Sequence, residues 1–339
     1  MNSEFSRRQP APGQLLSKAS SLMSGSLLNN QFLIYKKHSQ SSGISDIYFG
    51  IDVLSQSEVI LKILKSQFSS FLNNQSIKLI HEGQIQYSLQ HKNIIKILSD
   101  KFTYVEKQGK KKKEIFYLPM EYASNGDLST IMNKIYIKKR TGLSENCCLY
   151  LFEQIIDGVN YIHSKGICHR DIKLDNILLD ENLIIKITDF ECADYYIKDD
   201  EIVKMKNKVG TERYMAPEMH YLRNEGTFYH GNKVDIFACG IVLIGMLTGK
   251  MYFESTTPSD YYFRMYCEDK EQFFNLISKN CSEQVMDLIK KMIEIDSNLR
   301  ISAKEILKLR IMEEVDVNQG RKELDNILKT INCSVKLTS

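Results

Sequence analysis

A run of polar groups in the middle of the chain constrains it most. Residues 169–176 read His-Arg-Asp-Ile-Lys-Leu-Asp-Asn, and Asp189 follows the short apolar strand LIIKIT at 183–188. Four of these groups make a usable chemical set. Asp171 can accept a proton, and Lys173, two residues on, can neutralise a transferred anion. Asn176 is a neutral oxygen ligand for a metal, and Asp189 is a second, charged one. Phosphoryl transfer asks for this set, because it rests on positioning and charge neutralisation more than on covalent chemistry.

The chain has 339 residues, enough for one two-lobed domain of about 250–300 residues with flanks. Its 45 basic and 42 acidic residues nearly cancel, at a net charge of +3. That balance gives no global drive toward nucleic acid or an anionic membrane. The eight cysteines show no metal-ligand spacing and read as reduced thiols. Arg7 and Arg8 have no apolar segment behind them, so no leader is expected, and the expected setting is intracellular and cytoplasmic. The longest apolar run, Ile236 to Leu247, contains glycines. It falls short of the roughly 20 residues of a membrane span and reads as a buried helix.

Residues 1–28 are rich in Ser, Asn and Gln, with Pro10 and Pro12, and are expected to be disordered. From Gln31 to Leu64 the pattern favours strands, with EVILKIL at 58–64 a short β-branched run. A helix is expected at 77–90, where Ile85 and Leu89 share a face with Glu82. Further strands are expected over 94–122, interrupted by a polar turn at KQGKKKK, 107–113. Beyond this the character becomes helical. Ser144 is placed to cap a long helix carrying Cys148, Leu151, Phe152, Ile155, Val159 and Ile162. Later helices are expected at 233–247, 282–294 and 302–309. Leu324, Ile327, Leu328 and Ile331 have helical spacing, which predicts a short helix in the tail 310–339, docked on its own domain. The fold class is therefore α+β, in two unequal lobes with a site between them.

The strings, taken in order, resemble the eukaryotic protein kinases over about residues 30–309. HRDIKLDN fits the catalytic loop of that family, and Asp189-Phe190 its metal-binding position. GTERYMAPE at 210–218 fits the end of the activation segment, and DIFACG at 235–240 the helix that follows. Arg300 stands where the family pairs a late arginine with the glutamate at Glu218. Lys173 and the pair Gly210-Thr211 are similar to the serine/threonine branch. Residues 258–274 and 282–300 are similar to a group abundant in ciliates.

The resemblance implies a kinase-like bilobal fold, with a β-rich N-lobe at 29–120 carrying one key helix. A hinge at 121–123 and a helical C-lobe at 124–309 follow. It implies Mg²⁺ and ATP as cofactors and protein Ser/Thr hydroxyls as acceptors. Asp171 would orient the hydroxyl, Lys173 would stabilise the phosphoryl group, and Asn176 and Asp189 would hold metal. Lys62, paired with Glu82, would fix the α and β phosphates. Ile47 and Leu178 would meet the nucleotide. Glu121 and Ala123 would read adenine through their main chain, and Asp127 would meet the ribose.

Two positions depart from the family pattern. Glu191 stands where the family has glycine. It restricts φ and adds a third acidic group near Asp189, with two outcomes open: a perturbed metal site, or a side chain in solvent. It could also hinder a flip of Phe190. The three glycine positions of the phosphate loop fall on Gln40, Ser42 and Ser45, with only Gly43 nearby. The segment between Glu191 and Val209 has no Ser or Thr, its only hydroxyls being Tyr195 and Tyr196. Arg170 would normally receive a loop phosphate, so Asp199, Asp200 or Glu201 is expected to offer a constitutive anion instead.

Plainer roles stand beside these. His169 packs and orients the loop. Cys168 and Cys192 read as packing residues, and the lysines at 110–113 as a solvated turn rather than an RNA or lipid site. The leading reading is a serine/threonine kinase. The alternative is a pseudokinase, a nucleotide-binding or scaffolding module, for which Glu191 and the glycine-poor loop argue. No second domain is recognisable, so regulation by an attached module is not expected.

Overall fold

A computed structural model describes residues 27–65, 74–108, 111–222 and 226–333. The chain divides into two compact units, one of residues 1–88 and 95–122, the other of residues 89–94 and 123–339. The division falls between Tyr122 and Ala123, inside the expected hinge.

The first unit is a six-stranded antiparallel sheet and one helix. Its strands are β1 (Leu27–Leu28), β2 (Phe32–Ser42), β3 (Ser45–Asp52), β4 (Ser57–Leu64), β5 (Thr103–Gln108) and β6 (Lys111–Glu121), in the order β1-β2-β3-β4-β6-β5. Leu27 and Leu28 thus belong to the sheet rather than to a disordered leader; residues 1–26 lie outside the described part. Phe32, Val59, Leu61 and Tyr117 are fully or almost fully buried and form the centre of one face. The expected polar turn at 107–113 is mostly strand. Lys107 pairs with Lys112 and Gln108 with Lys111, leaving only residues 109–110 between β5 and β6.

Helix α1 spans Asn74–Ser88. It stops one residue short of Leu89, which the sequence placed on its face. Gly83 lets it lie close to the sheet: a Cβ there would sit 2.6 Å from Leu118 Cδ2 and 3.0 Å from Phe102 Cζ. Gln86 secures the end of α1 by donating to the Ile95 carbonyl at 2.9 Å.

The second unit is mainly helical. Helix α2 (Leu128–Lys139) is capped by Asp127, and α3 (Glu145–Ser164) by Ser144, which accepts from the Cys147 amide. The apolar stripe foreseen on α3 is buried throughout. Short strands β7 (Ile167–Cys168), β8 (Ile177–Leu179), β9 (Ile185–Ile187), β10 (Asp194–Tyr195), β11 (Ile197–Lys198) and β12 (Glu201–Ile202) pair as three small ribbons. They frame the polar strings at 169–176 and 189–191.

Helix α4 (Gly231–Thr248) is the core of this unit, with sixteen of its residues buried. It is the one described helix long and apolar enough to cross a membrane, and its burial on all sides marks it as a core helix. After it come α5 (Tyr261–Glu268), α6 (Lys270–Asn275) and α7 (Glu283–Met292), the last of which packs against it. The helix expected at 302–309 is shorter, α8 (Ala303–Ile306), with a capping box between Ser302 and Glu305.

After a turn of helix, α9 (Arg310–Glu313), the tail forms α10 (Val317–Cys333), far longer than the short helix expected. Leu324, Leu328 and Ile331 on α10 are buried, and the helix packs on α2 and α3. Gly320 permits the approach, since a Cβ there would meet Tyr150 Cβ at 2.5 Å and the Asn146 carbonyl at 2.9 Å.

Candidate active site

In the first unit, Lys62 on β4 and Glu82 on α1 form a bidentate pair, with Nζ 2.8 and 3.0 Å from the two carboxylate oxygens. Both are buried, at 4 % and 2 % exposure. A charge this deep is tolerable only when paired, so each residue fixes the other. Directly opposite Lys62 on the neighbouring strands lie Ile47 on β3 and Leu118 on β6, so the three side chains share the face that meets α1.

The glycine positions of this unit lie in the β2–β3 hairpin, whose register shifts between Lys37 and Ser41. Ser42 pairs with Ser45, and the chain turns at Gly43 and Ile44. Lys65 pins the turn by donating its amide to the Ile44 carbonyl at 3.0 Å and Nζ to the Gly43 carbonyl at 2.6 Å. The side chains of residues 39–42 lie outside the described part. Glu121 ends β6, and its carboxylate accepts from the Lys96 amide at 2.8 Å.

In the second unit, the polar groups of 169–176 close on one another. Asp171 Oδ2 accepts from Lys173 Nζ at 2.7 Å, and Oδ1 accepts from the Thr211 hydroxyl at 2.8 Å. Lys173 also donates to Thr211 Oγ1 at 2.8 Å. Asn176 Nδ2 donates to the Asp171 carbonyl at 2.9 Å and to Oδ2 at 3.2 Å. Gly210 is obligatory beside this set: its φ is +94°, and a Cβ would stand 2.4 Å from the Arg170 carbonyl.

Asp235 of α4 holds the loop from below, a role that sequence reasoning missed. It is 1 % exposed and accepts from the amides of His169 at 2.8 Å and Arg170 at 2.7 Å, with His163 Nε2 at 2.9 Å. The signal was present, because Asp235 is the only acidic residue in a mostly apolar helix and a buried carboxylate needs donors. Its grip steadies Arg170, whose φ is 64°. His169 has the packing role expected of it, 4.7 Å from the Phe190 ring and bonded through Nε2 to the Thr188 carbonyl at 3.0 Å.

Asp189 itself takes the left-handed conformation, with φ 64° and ψ 74°. Glu191 follows in a 3₁₀ turn over Phe190–Cys192, has negative φ and is exposed. The backbone freedom that glycine would give at 191 is therefore not called on. Burial, with the nearby charges of Asp171, Asp189 and Glu191, pushes the Cys192 thiol up to about 11, which agrees with a packing role.

The remaining site expectations divide. Asp127 caps α2, each carboxylate oxygen accepting from Thr130, at 2.7 Å from the amide and 2.9 Å from the hydroxyl. Leu178 bridges to Asp127 across the backbone and is half-buried. Ala123 is buried, and its carbonyl accepts from Gly126 at 3.3 Å. Arg300 binds Glu218 as expected, at 2.7 and 3.1 Å. The anion expected for Arg170 is corrected. Asp199, Asp200 and Glu201 are exposed at the β11–β12 hairpin, while Arg170 is taken by Cys192, Asp194 and Tyr229. The hairpin projects these acids outward, whereas β10 runs beside the loop.

No group of three or more His, Cys, Asp or Glu that could hold a metal occurs among the described residues. Magnesium needs only one or two protein oxygens when phosphates complete its shell. The donor types suit that demand, because the amide nitrogen of Asn176 is engaged by Asp171, which leaves its oxygen as a neutral donor, and Asp189 supplies a carboxylate.

The protein kinase domain family matches residues 42–312. The chain belongs to the protein kinase family. Within it the chain falls in the serine/threonine branch, as its relatives' names indicate. It is 32 % identical over 304 residues to serine/threonine-protein kinase PKH2 of Candida albicans, covering 84 % of this chain and 29 % of that protein. It is 30 % identical over 313 residues to serine/threonine-protein kinase PKH1 of Saccharomyces cerevisiae, covering 86 % and 38 %. The match to serine/threonine-protein kinase chk-2 of Caenorhabditis elegans is 29 % over 303 residues, covering 86 % and 59 %. This kinase chain thus spans well under half of the two yeast relatives. Helix α10 lies beyond the family match.

Proposed function

We propose that this kinase is catalytically active, transferring the γ-phosphate of ATP to serine or threonine hydroxyls of proteins. The closed set of Asp171, Lys173, Thr211 and Asn176 carries the reading. Asp171 orients the acceptor hydroxyl and takes its proton. Lys173 sits beside that carboxylate and neutralises charge on the transferred group. Lys62, held by Glu82, fixes the nucleotide phosphates. Ile47, Ala123 and Leu178 supply the surfaces against the base, with Glu121 contributing main chain and Asp127 meeting the ribose. Asn176 and Asp189 hold magnesium, which supplies charge neutralisation at the phosphates when bound.

Purified protein with labelled ATP, Mg²⁺ and generic protein substrates is expected to transfer label at least about a hundredfold faster than Asp171→Asn. Equal rates in the two proteins would refute the activity. One observation favours a second reading, a nucleotide-binding or scaffolding module: the hairpin turning at Gly43 and Ile44 has serines where close approach to phosphate favours glycine. A nucleotide-induced rise in melting temperature without transfer would select it.

A further inference from the structure

We infer that Tyr229 is a positioning residue which, with Asp194, holds the segment between Asp189 and Thr211 in its working place without phosphorylation. The inference rests on the proposed phosphotransfer, since what is positioned is the neighbourhood of Asp171.

The segment cannot be ordered by a phosphoserine or phosphothreonine between Glu191 and Val209, because it has neither residue. Tyr196 is half-buried, its hydroxyl donating to the His163 carbonyl at 2.9 Å. Tyr195 is exposed, at 39 %. Thr211 is engaged by Asp171 and Lys173. No serine or threonine phosphate within 191–209 is available to order the segment, and the chain supplies ordering contacts of its own.

Arg170 is where the built-in contacts meet. Its side chain is 7 % exposed, and each of its three nitrogens has a partner. Nε donates to the Cys192 carbonyl at 2.7 Å, Nη1 to the Tyr229 hydroxyl at 3.1 Å, and Nη2 to the Asp194 carboxylate at 3.4 Å. Two of these partners belong to the start of the segment.

Tyr229 reaches the far end. It is 2 % exposed, and its hydroxyl donates in turn to the Asn207 carbonyl at 2.8 Å. Its backbone exchanges hydrogen bonds with Met205, at 3.0 and 3.4 Å. This one residue thus joins Met205, through its backbone, and Asn207, through its phenol, to the arginine that precedes Asp171. Asn207 stands three residues ahead of the obligatory Gly210 and four ahead of Thr211. Removing the Tyr229 hydroxyl takes one hydrogen-bond partner from Arg170 Nη1 and one from the Asn207 carbonyl.

The test assays the full chain before and after phosphatase treatment, with dephosphorylation followed by intact mass. Tyr229→Phe and Asp194→Asn are assayed alongside it. Dephosphorylated wild type is expected to keep its rate. Tyr229→Phe is expected to lower kcat about tenfold, the effect of one part-buried hydrogen bond to a charged group felt at the transition state, with KM for ATP unchanged. Asp194→Asn moves kcat in the same direction by a smaller factor. Amide exchange over residues 203–209 accelerates in Tyr229→Phe. A rate lost on phosphatase treatment, or wild-type kcat in Tyr229→Phe, overturns the inference. If wild type transfers no more label than Asp171→Asn, the activity reading fails by itself. Amide exchange then decides: faster exchange over 203–209 supports the positioning role, and unchanged exchange overturns it.

Discussion

Lys62 and Glu82 show why a buried charge in this kinase cannot be altered alone. Both oxygens of Glu82 are used by one ammonium group, and neither residue can turn to water. Glu82→Gln should cost about 3–5 kcal/mol, as expected when one half of a buried ion pair is removed; chemical denaturation would read it, and a loss below about 1 kcal/mol would contradict the burial. Two histidines set a pH response. Burial holds His220 and His91 below the ordinary histidine range, and His220 Nε2 is buried without a hydrogen-bond partner among the described residues. The unfolded chain therefore binds more protons near pH 6.5 and below, so stability is intact above that value and falls as pH drops through the folded-state values. The melting temperature should decline between pH 7.5 and 5.5, and His220→Gln should shrink that decline; an unchanged slope would contradict the assignment. Asp171, Lys173, Asn176, Lys62 and Glu82 were legible in the sequence because their order and spacing are tied to chemistry. The roles of Asp235, although its string DIFACG was matched, and of Tyr229 were not read, because each works through main-chain and side-chain partners far away in the chain.

The elements were legible where a period and a cap agreed. The stripe on α3 with Ser144 before it is the clearest case. They were misread where composition misled. The lysines at 111–113 look like a turn, yet β6 begins at Lys111, because strand pairing with β5 continues to the last residues before a two-residue connection. The tail was underestimated for a related reason: Val317–Cys333 is polar on most of its surface, and only Leu324, Leu328 and Ile331, with the space left by Gly320, reveal the docked face. Helix α10 is therefore part of the folded unit although it lies beyond the family match. Gly320→Leu should cost about 1–3 kcal/mol through overpacking against Tyr150, read as a lower melting temperature. A melting temperature equal to wild type would mean that α10 is not seated on α3.

For the whole molecule, the two-part α+β reading followed from the change of character near residue 123. The unusual feature is that a complete set of polar groups coexists with Glu191. The structure separates the two, since the left-handed turn falls on Asp189 and Glu191 lies exposed with ordinary φ. Glutamate at 191 should then leave the chemistry intact. The direct measurement is kcat of wild type beside Glu191→Gly, with Asp171→Asn as the floor. The account predicts wild type and Glu191→Gly within about threefold of each other, both at least about a hundredfold above the floor. Wild type at the floor, with Glu191→Gly turning over, would contradict it.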